Sequence, residues 1–169
     1  MKSFNRLAIF CVLLFGLLAN SQAMGQFLMF NNPMQGQPAP DFTLPTVQGS
    51  SLNMTAYRDG KPAIVFFWAT WCPHCRQQLK KLYTRRSEIE EEGVRVILVD
   101  LQESARQVQS YLTRQKIDAD ICLDQDGAVS DEYGVLGIPT YFLIDAQGDI
   151  RLVKNTFPSN YSKLLQITP

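Results

Sequence analysis

Between a short apolar run and a longer amphipathic segment lies the stretch Trp68-Ala69-Thr70-Trp71-Cys72-Pro73-His74-Cys75. The apolar run, residues 63–67, predicts a buried strand, and the segment after the stretch repeats apolar residues at close to the helical period. Pro73 suits the first position of that helix, because no backbone N–H is needed there and its φ is already helical. The sequence therefore predicts that Cys72 lies at a helix N-terminus, where free N–H groups and the helix dipole favour a thiolate.

Two residues separate Cys72 from Cys75, a spacing that lets the two sulfurs close a disulfide ring. The same pair could instead form a structural disulfide or half of a zinc site. Structural zinc usually takes four Cys or His ligands. Outside this stretch the chain has only Cys11 and Cys122 as further cysteines, and its single histidine is His74 within the stretch. A redox pair between strand and helix is therefore the favoured interpretation.

The region around the cysteines resembles the active site of the thioredoxin superfamily. Three segments in order resemble its TlpA/ResA-like extracytoplasmic branch, namely residues 37–44 (Gln-Pro-Ala-Pro-Asp-Phe-Thr-Leu), 67–72 (Phe-Trp-Ala-Thr-Trp-Cys) and 137–145 (Gly-Ile-Pro-Thr-Tyr-Phe-Leu-Ile-Asp). The resemblance covers about residues 37–155. It implies an α/β thioredoxin fold, a central mixed sheet flanked by helices, with a β-hairpin added at its N-terminal side. It also implies a thiol–disulfide oxidoreductase that needs no cofactor beyond its own redox-active disulfide.

The resemblance also implies roles for individual residues. Cys72 would attack and carry a mixed disulfide with the substrate, and Cys75 would resolve it. Ile138-Pro139-Thr140 resembles the superfamily's cis-proline loop, which faces the cysteines and pairs with the substrate backbone. The positions expected to contact substrate are Trp71, Ile138 and Thr140.

The tetrapeptide Cys-Pro-His-Cys, residues 72–75, is the one seen in the DsbA oxidant family. An imidazole of His74 near the Cys72 sulfur would favour the thiolate and hence the reduced form, which makes the disulfide a stronger oxidant. The alternative is that His74 is an exposed residue with little effect on the sulfur.

Two departures from the related patterns concern carboxylates. Thioredoxins place a buried Asp six residues before the first cysteine, where this chain has Phe66, and the ResA-like pattern places a Glu at the position of Gln78. The missing carboxylates and His74 favour oxidation of partner proteins. The overall resemblance favours reduction in cytochrome c maturation, so the direction of exchange stays open.

The N-terminus resembles a secretory signal. Lys2 and Arg6 precede an apolar run over residues 7–19, and Ser21-Gln22-Ala23 fits a cleavage site. An uncleaved membrane anchor is the alternative, although the run is short for a span. We therefore expect a signal peptide at 1–23, a linker at 24–37, a thioredoxin-like domain at 38–169, and a periplasmic or other extracytoplasmic location.

Charge and compartment define the expected partners. The chain has 16 basic and 16 acidic residues, and removing residues 1–23 takes away two basic ones. This balance does not indicate a nucleic-acid surface. In an oxidising compartment, a reactive cysteine pair would act on protein thiols and disulfides. The resemblance adds a membrane redox partner of the DsbB or DsbD/CcdA kind.

Two other functions compete with disulfide exchange. A copper chaperone could use Cys72, His74 and Cys75 as ligands, but the thioredoxin-like copper carriers use a further, distant His that this chain lacks. A thioredoxin-like peroxidase usually has Thr three residues before its reactive cysteine, where this chain has Ala69. Cys122, in an apolar segment, is interpreted as a small buried hydrophobe, with a third redox thiol as the alternative.

Periodicity and turn residues predict the remaining elements. A hairpin is expected over residues 41–54, and a capping box formed by Ser104 and Gln107 predicts the start of a helix. The predicted strands are 63–68, 94–100, 120–123, 140–145 and 149–154, and the other predicted helices are 73–92, 127–133 and 159–167.

Overall fold

The computed structural model describes residues 32–167. The predicted signal peptide, Cys11 and residues 24–31 of the predicted linker lie outside the described residues. Of these, residues 33–167 belong to one folded unit. Within residues 32–167, no helix is long and apolar enough to cross a membrane.

Seven strands and five helices follow one another along this unit. In chain order they are β1 (Thr43–Pro45), β2 (Ser51–Asn53), α1 (Met54–Arg58), β3 (Ala63–Trp68), α2 (Pro73–Glu91), β4 (Arg95–Leu101), α3 (Ala105–Gln115), β5 (Cys122–Asp124), α4 (Ala128–Glu132), β6 (Thr140–Ile144), β7 (Ile150–Lys154) and α5 (Tyr161–Leu164).

The centre of the fold is a mixed five-stranded sheet in the order β5-β4-β3-β6-β7. Strand β3 is parallel to β4 and antiparallel to β6. All six residues of β3 are buried, as expected for a continuous apolar strand that is covered on both faces. Because β3 and β4 are parallel, their carboxyl ends meet at one edge, with Trp68 paired to Asp100. The predicted α/β thioredoxin-type architecture is confirmed.

Alternate residues of β3 face two separate apolar cores. Ile64, Phe66 and Trp68 pack on the side of α2 and α3, in a cluster that also contains Cys75 and Leu79. Val65 and Phe67 pack on the other side with α4 and the β1–β2 hairpin. This alternation is the two-residue period of a strand, and it decides which side chains lie near the redox helix.

The hairpin before the core pairs β1 with β2 in antiparallel register, as expected. The helix α1 that follows it at once is absent from the sequence-based prediction, which assigned Met54 to the hairpin. Asn53 caps this helix by accepting a hydrogen bond from the N–H of Ala56 at 2.8 Å. Asp41 accepts from both the N–H and the hydroxyl of Thr55.

Residues 34–37, in the predicted linker, lie against the outer edge of β7. The N–H of Gly36 donates to the carbonyl of Ile150 at 2.8 Å, and the N–H of Ile150 donates to the carbonyl of Gln37 at 2.9 Å. This segment therefore adds backbone pairing to the end of the sheet before the predicted domain begins.

The ends of the two longer helices follow their sequence signals. Helix α2 begins at Pro73, and Gly93, with φ +84°, lies just beyond its end. Helix α3 begins with the predicted capping box, because Ser104 and Gln107 each accept from the other's backbone N–H. Pairs Arg85–Glu88 and Arg86–Glu90 bridge neighbouring turns along α2.

Candidate active site

Cys72 and Cys75 form a disulfide at the junction of β3 and α2. Cys72 is the N-cap of α2, with extended backbone (φ −85°, ψ 109°), and Pro73 occupies the first helical turn. The Cα atoms of the two cysteines are 5.2 Å apart. The disulfide therefore lies at the positive end of a 19-residue helix, where negative charge is stabilised.

The two sulfurs differ in access. Cys72 is 6% exposed, whereas Cys75 is fully buried. The backbone N–H of Cys75 donates to the Sγ of Cys72 at 3.2 Å. A donor on this sulfur stabilises the thiolate that reduction leaves there. The geometry thus offers Cys72 as the sulfur that an incoming thiol or disulfide reaches.

The loop before β6 faces this sulfur. The Ile138–Pro139 peptide bond is cis, which is the isomer that the sequence analysis expected. The carbonyl oxygen of Ile138 lies 3.9 Å from the Sγ of Cys72. Asn155 holds the loop by donating from its side-chain amide to the carbonyl of Pro139 at 2.8 Å.

Thr140 begins β6 directly after the cis peptide bond. Its side chain is buried, and its hydroxyl donates to the carbonyl of Gly137 at 2.6 Å. Its Oγ1 also accepts from the amide of Asn155 at 3.2 Å. Thr140 therefore braces the cis-proline loop from within rather than facing solvent.

Two large apolar side chains are exposed on the two segments that carry Cys72 and Ile138. Trp71, next to Cys72, is 65% exposed, and Leu136, two residues before Ile138, is 99% exposed. Along the chain, Trp71 adjoins Cys72, and Leu136 lies two residues before the Ile138 whose carbonyl contacts that sulfur. The sequence analysis singled out Trp71 but not Leu136, because an apolar residue in a loop carries no periodicity that could predict its exposure.

His74 is exposed at the start of α2. Among the described residues, no hydrogen bond or ion pair joins its imidazole to another group, Cys72 included. The neighbouring Arg76 is engaged, because its guanidinium donates to the carbonyl of Thr70 at 3.1 Å. Arg76 therefore closes the turn that leads from β3 into Cys72.

The two positions that lack the expected carboxylates are filled by packing. Phe66 is fully buried and stacks on Tyr141, with ring centroids 4.3 Å apart. Gln78 is buried, and its side-chain oxygen accepts from the N–H of Phe157 at 3.1 Å and from the hydroxyl of Tyr141 at 3.5 Å. These residues therefore connect α2 and β3 to β6 and the C-terminal segment.

Two buried carboxyl groups that the sequence analysis missed lie at the same edge of the sheet. Glu103 accepts from the N–H of Thr70 at 2.5 Å and from its hydroxyl at 2.6 Å. Asp100, at the end of β4, is fully buried, and its carboxyl group has no salt-bridge partner among the described residues. Burial, the charge of Glu103 and a hydrogen bond with Glu103 raise the pKa of Asp100 to about 9. Asp100 could be identified only from the strand pairing that places it beside Trp68. This pairing depends on the tertiary structure and not on the local sequence.

Cys122 lies far from this chemistry in the architecture. It is buried in the core on the opposite face of the sheet from Cys75, and it is free. Burial, with a smaller contribution from Asp120, raises the pKa of its thiol to about 12. This environment matches the small buried hydrophobe of the sequence interpretation rather than a reactive thiol.

No cluster of three or more His, Cys, Asp or Glu side chains that could hold a metal ion occurs in residues 32–167. A surface groove lies between the middle of α2 and the C-terminal segment. It has a volume of about 500 Å³ and is lined by Lys80, Lys81, Thr84, Arg85, Phe157 and Ser159.

Comparisons with known proteins agree with this geometry. Residues 35–153 match the AhpC/TSA family. The chain is 32% identical over 161 residues to the thiol:disulfide interchange protein DsbE of Yersinia pestis, covering 89% of this chain and 84% of that protein. It is 31% identical over 159 residues to the thiol-disulfide oxidoreductase ResA of Geobacillus thermodenitrificans, covering 90% and 89%.

A crystal structure of a thiol:disulfide interchange protein DsbE from Chlorobium tepidum has the same fold. It superposes with a TM-score of 0.68 at 29% identity, covering 78% of this chain and 93% of that one.

Proposed function

The chain belongs to the AhpC/TSA family, and we propose that it is an exported enzyme that exchanges disulfides with protein substrates through Cys72. It is a thiol–disulfide oxidoreductase, the class that the names of its relatives state. The observation that carries the proposal is the Cys72–Cys75 disulfide at the N-terminus of α2, facing the loop of Ile138 and Pro139.

Exchange in the oxidising direction begins with a substrate thiolate that attacks the Sγ of Cys72. The Cys72–Cys75 bond breaks, a mixed disulfide forms, and Cys75 leaves as a thiolate that takes up a proton. A second substrate thiolate then attacks the substrate sulfur of the mixed disulfide and releases Cys72 as a thiolate. The substrate has lost two electrons and the enzyme disulfide has gained them. Reduction of a substrate is the same sequence in reverse, with Cys75 resolving the mixed disulfide.

Each of the other site residues has a proposed part in this exchange. Pro73 starts the helix whose N-terminus stabilises the Cys72 thiolate. Trp71 and Ile138 would contact the substrate chain, and the exposed Leu136, two residues before Ile138, is proposed to contact it as well. Pro139 shapes the loop opposite the sulfur, and Thr140 braces that loop from inside. The chemistry needs no organic cofactor, because the disulfide itself carries the electrons.

We propose that the net direction is oxidation of partner proteins. The N–H of Cys75 on the Cys72 sulfur and the helix N-terminus both stabilise the reduced form. In thioredoxins and in the ResA-like pattern, carboxylates occupy the positions that Phe66 and Gln78 take here. His74 is proposed to add to the stabilisation through its charge rather than through a contact. A more stable reduced form makes the disulfide the stronger oxidant.

A glutathione redox titration tests the direction. We expect a potential above about −220 mV, compared with about −270 mV for thioredoxin. His74→Pro is expected to lower the potential, and absorbance of the thiolate should show that the pKa of Cys72 lies well below that of a free cysteine. A potential near the thioredoxin value, unmoved by His74→Pro, would make reduction, with apocytochrome c as a substrate class, the better proposal.

Substrates and location are tested in cells. With Cys75→Ser the mixed disulfide at Cys72 cannot be resolved, so protein partners should accumulate as adducts that dithiothreitol releases. A redox partner in the membrane, whether it oxidises or reduces this enzyme, should be among them. Sequencing the N-terminus of the exported protein should show cleavage after Ala23. An intact N-terminus in the membrane fraction would instead indicate the anchor.

A further inference from the structure

The carboxyl end of β4 carries two acidic side chains that the exchange steps above do not use. Asp100 belongs to the same strand face as Val96 and Leu98, which pack in the core that contains Cys75. Its strand partner is Trp68, whose indole nitrogen is also buried with no acceptor among the described residues. Asp100 therefore points into the core on the side of the redox helix.

Glu103 connects this pair to the redox turn. Both of its carboxylate oxygens accept from Thr70, one from the N–H and one from the hydroxyl. On the other side of the same residue, Arg76 donates to the Thr70 carbonyl. Thr70 is two residues before Cys72, so Glu103 and Arg76 together fix the turn that presents the reactive sulfur.

The one group near Asp100 that favours its ionised form is the backbone N–H of Glu103, and the effects of burial and of the Glu103 carboxyl outweigh it. Two ionised carboxylates only accept hydrogen bonds, so the fully buried Asp100 can bond to the carboxyl group of Glu103 only if one of the two is protonated. Arg76 and Tyr111 contact the two residues that flank this pair, Thr70 and Trp68. Arg76 is occupied by Thr70, and Tyr111 packs on Trp68 with ring centroids 5.6 Å apart.

We propose that Asp100 and Glu103 hold one proton between them and act as positioning residues that couple the protonation of this pair to reduction of the Cys72–Cys75 disulfide. The protonated Asp100 donates to Glu103, which leaves Glu103 ionised to hold Thr70. Loss of the shared proton places a second negative charge in the network behind Cys72. The coupling rests on the proposed function, whereas the shared proton does not.

The proton balance follows from the reduction step. A dithiol donor supplies two electrons that break the S–S bond, and its two sulfurs become a disulfide. One of its protons goes to Cys75, and the other goes to solvent while Cys72 remains a thiolate. In molecules whose Asp100–Glu103 pair is ionised, a fraction of these second protons binds to Asp100 and does not reach solvent. The reason is that the new thiolate charge raises the affinity of the pair for a proton.

The first test is the infrared spectrum of the oxidised protein. At pH 7 we expect the carbonyl stretch of a buried protonated carboxylic acid, which disappears as the pH rises past 9 and is missing in Asp100→Asn. Glu103→Gln should also remove it, because a glutamine amide donates to an ionised Asp100. Asp124→Asn is the matched control: this buried carboxylate at the end of β5 accepts from the N–H groups of Val129 and Ser130, and the band should remain.

The second test is the equilibrium between the enzyme and dithiothreitol from pH 7 to 10. The equilibrium constant for reduction of the Cys72–Cys75 disulfide should decrease from pH 7 to 10 by a factor that is about three times larger in the wild type than in Asp100→Asn. A factor of this size is expected for two charges that interact through protein. A purely structural role would give parallel profiles. Absence of the infrared band, or parallel profiles, overturns the proposal even in an enzyme that exchanges disulfides normally.

Discussion

Replacing Asp100 with Asn should stabilise the protein at neutral pH. The side chain is fully buried, and burial together with the neighbouring Glu103 raises the pKa of Asp100 from 3.8 to about 9. At pH 7 the folded protein therefore holds a proton that the unfolded chain releases. Asn is neutral in both states and nearly the same shape, so it avoids this cost.

The magnitude follows from the gap between the two states. The unfolded chain has an Asp pKa of 3.8, which is about 3 units below pH 7, and each unit corresponds to about 1.4 kcal/mol. The free energy of unfolding of Asp100→Asn should therefore exceed that of the wild type by roughly 4 kcal/mol at most. The sign is that of an acid whose pKa is raised by folding. Its unfavourable contribution is absent below pH 3.8, grows with pH and levels off above about 9.

Urea unfolding of the oxidised protein at pH 4.5, 6 and 7.5 measures this effect. The free energy of unfolding of Asp100→Asn should exceed that of the wild type by an amount that increases with pH. Asp124→Asn should instead destabilise by about 1–3 kcal/mol, because it weakens two charged hydrogen bonds to backbone N–H groups. If Asp100→Asn destabilises equally at all three pH values, Asp100 is ionised in the folded protein and the reasoning is refuted.

Two further predictions concern the substrate surface and the third cysteine. Leu136→Ser should lower kcat/KM for an unfolded polypeptide substrate about fivefold, since partial burial of a Leu contributes about 1 kcal/mol. The rate with oxidised glutathione should stay unchanged. An equal loss of rate with both substrates would contradict a role of Leu136 in substrate contact. Cys122→Ala should leave the exchange rate unchanged. In the folded, reduced wild type, a thiol reagent should label Cys72 and not Cys122. Rapid labelling of Cys122 would support its interpretation as a third redox thiol.

The sequence predicted those features that depend on local chemistry. Pro73 and Gly93 mark the two ends of α2 through their backbone preferences, and Ser104 with Gln107 marks the start of α3. The apolar run of β3 predicted the central strand because a strand covered on both faces has no polar positions. These signals lie within a few residues of the structure that they specify.

The features that the prediction missed depend on contacts between distant segments. The five-residue helix α1 is too short for a helical period to show. Carboxylates were sought at fixed spacings from the cysteines, the positions of Phe66 and Gln78. Asp100 reaches the site only because β4 pairs with β3.

The central claim is that exchange proceeds through a mixed disulfide at Cys72 that Cys75 resolves. Purified Cys75→Ser and Cys72→Ser variants, each reduced and then mixed with a disulfide-bonded peptide, test it by intact mass and peptide mapping. Because Cys72 is the more accessible sulfur and lies at the helix N-terminus, Cys75→Ser should form a stable adduct that maps to Cys72. Cys72→Ser should form none on the same timescale. Equal adduct formation by both variants, or an adduct that maps to Cys75 or Cys122, would contradict the account.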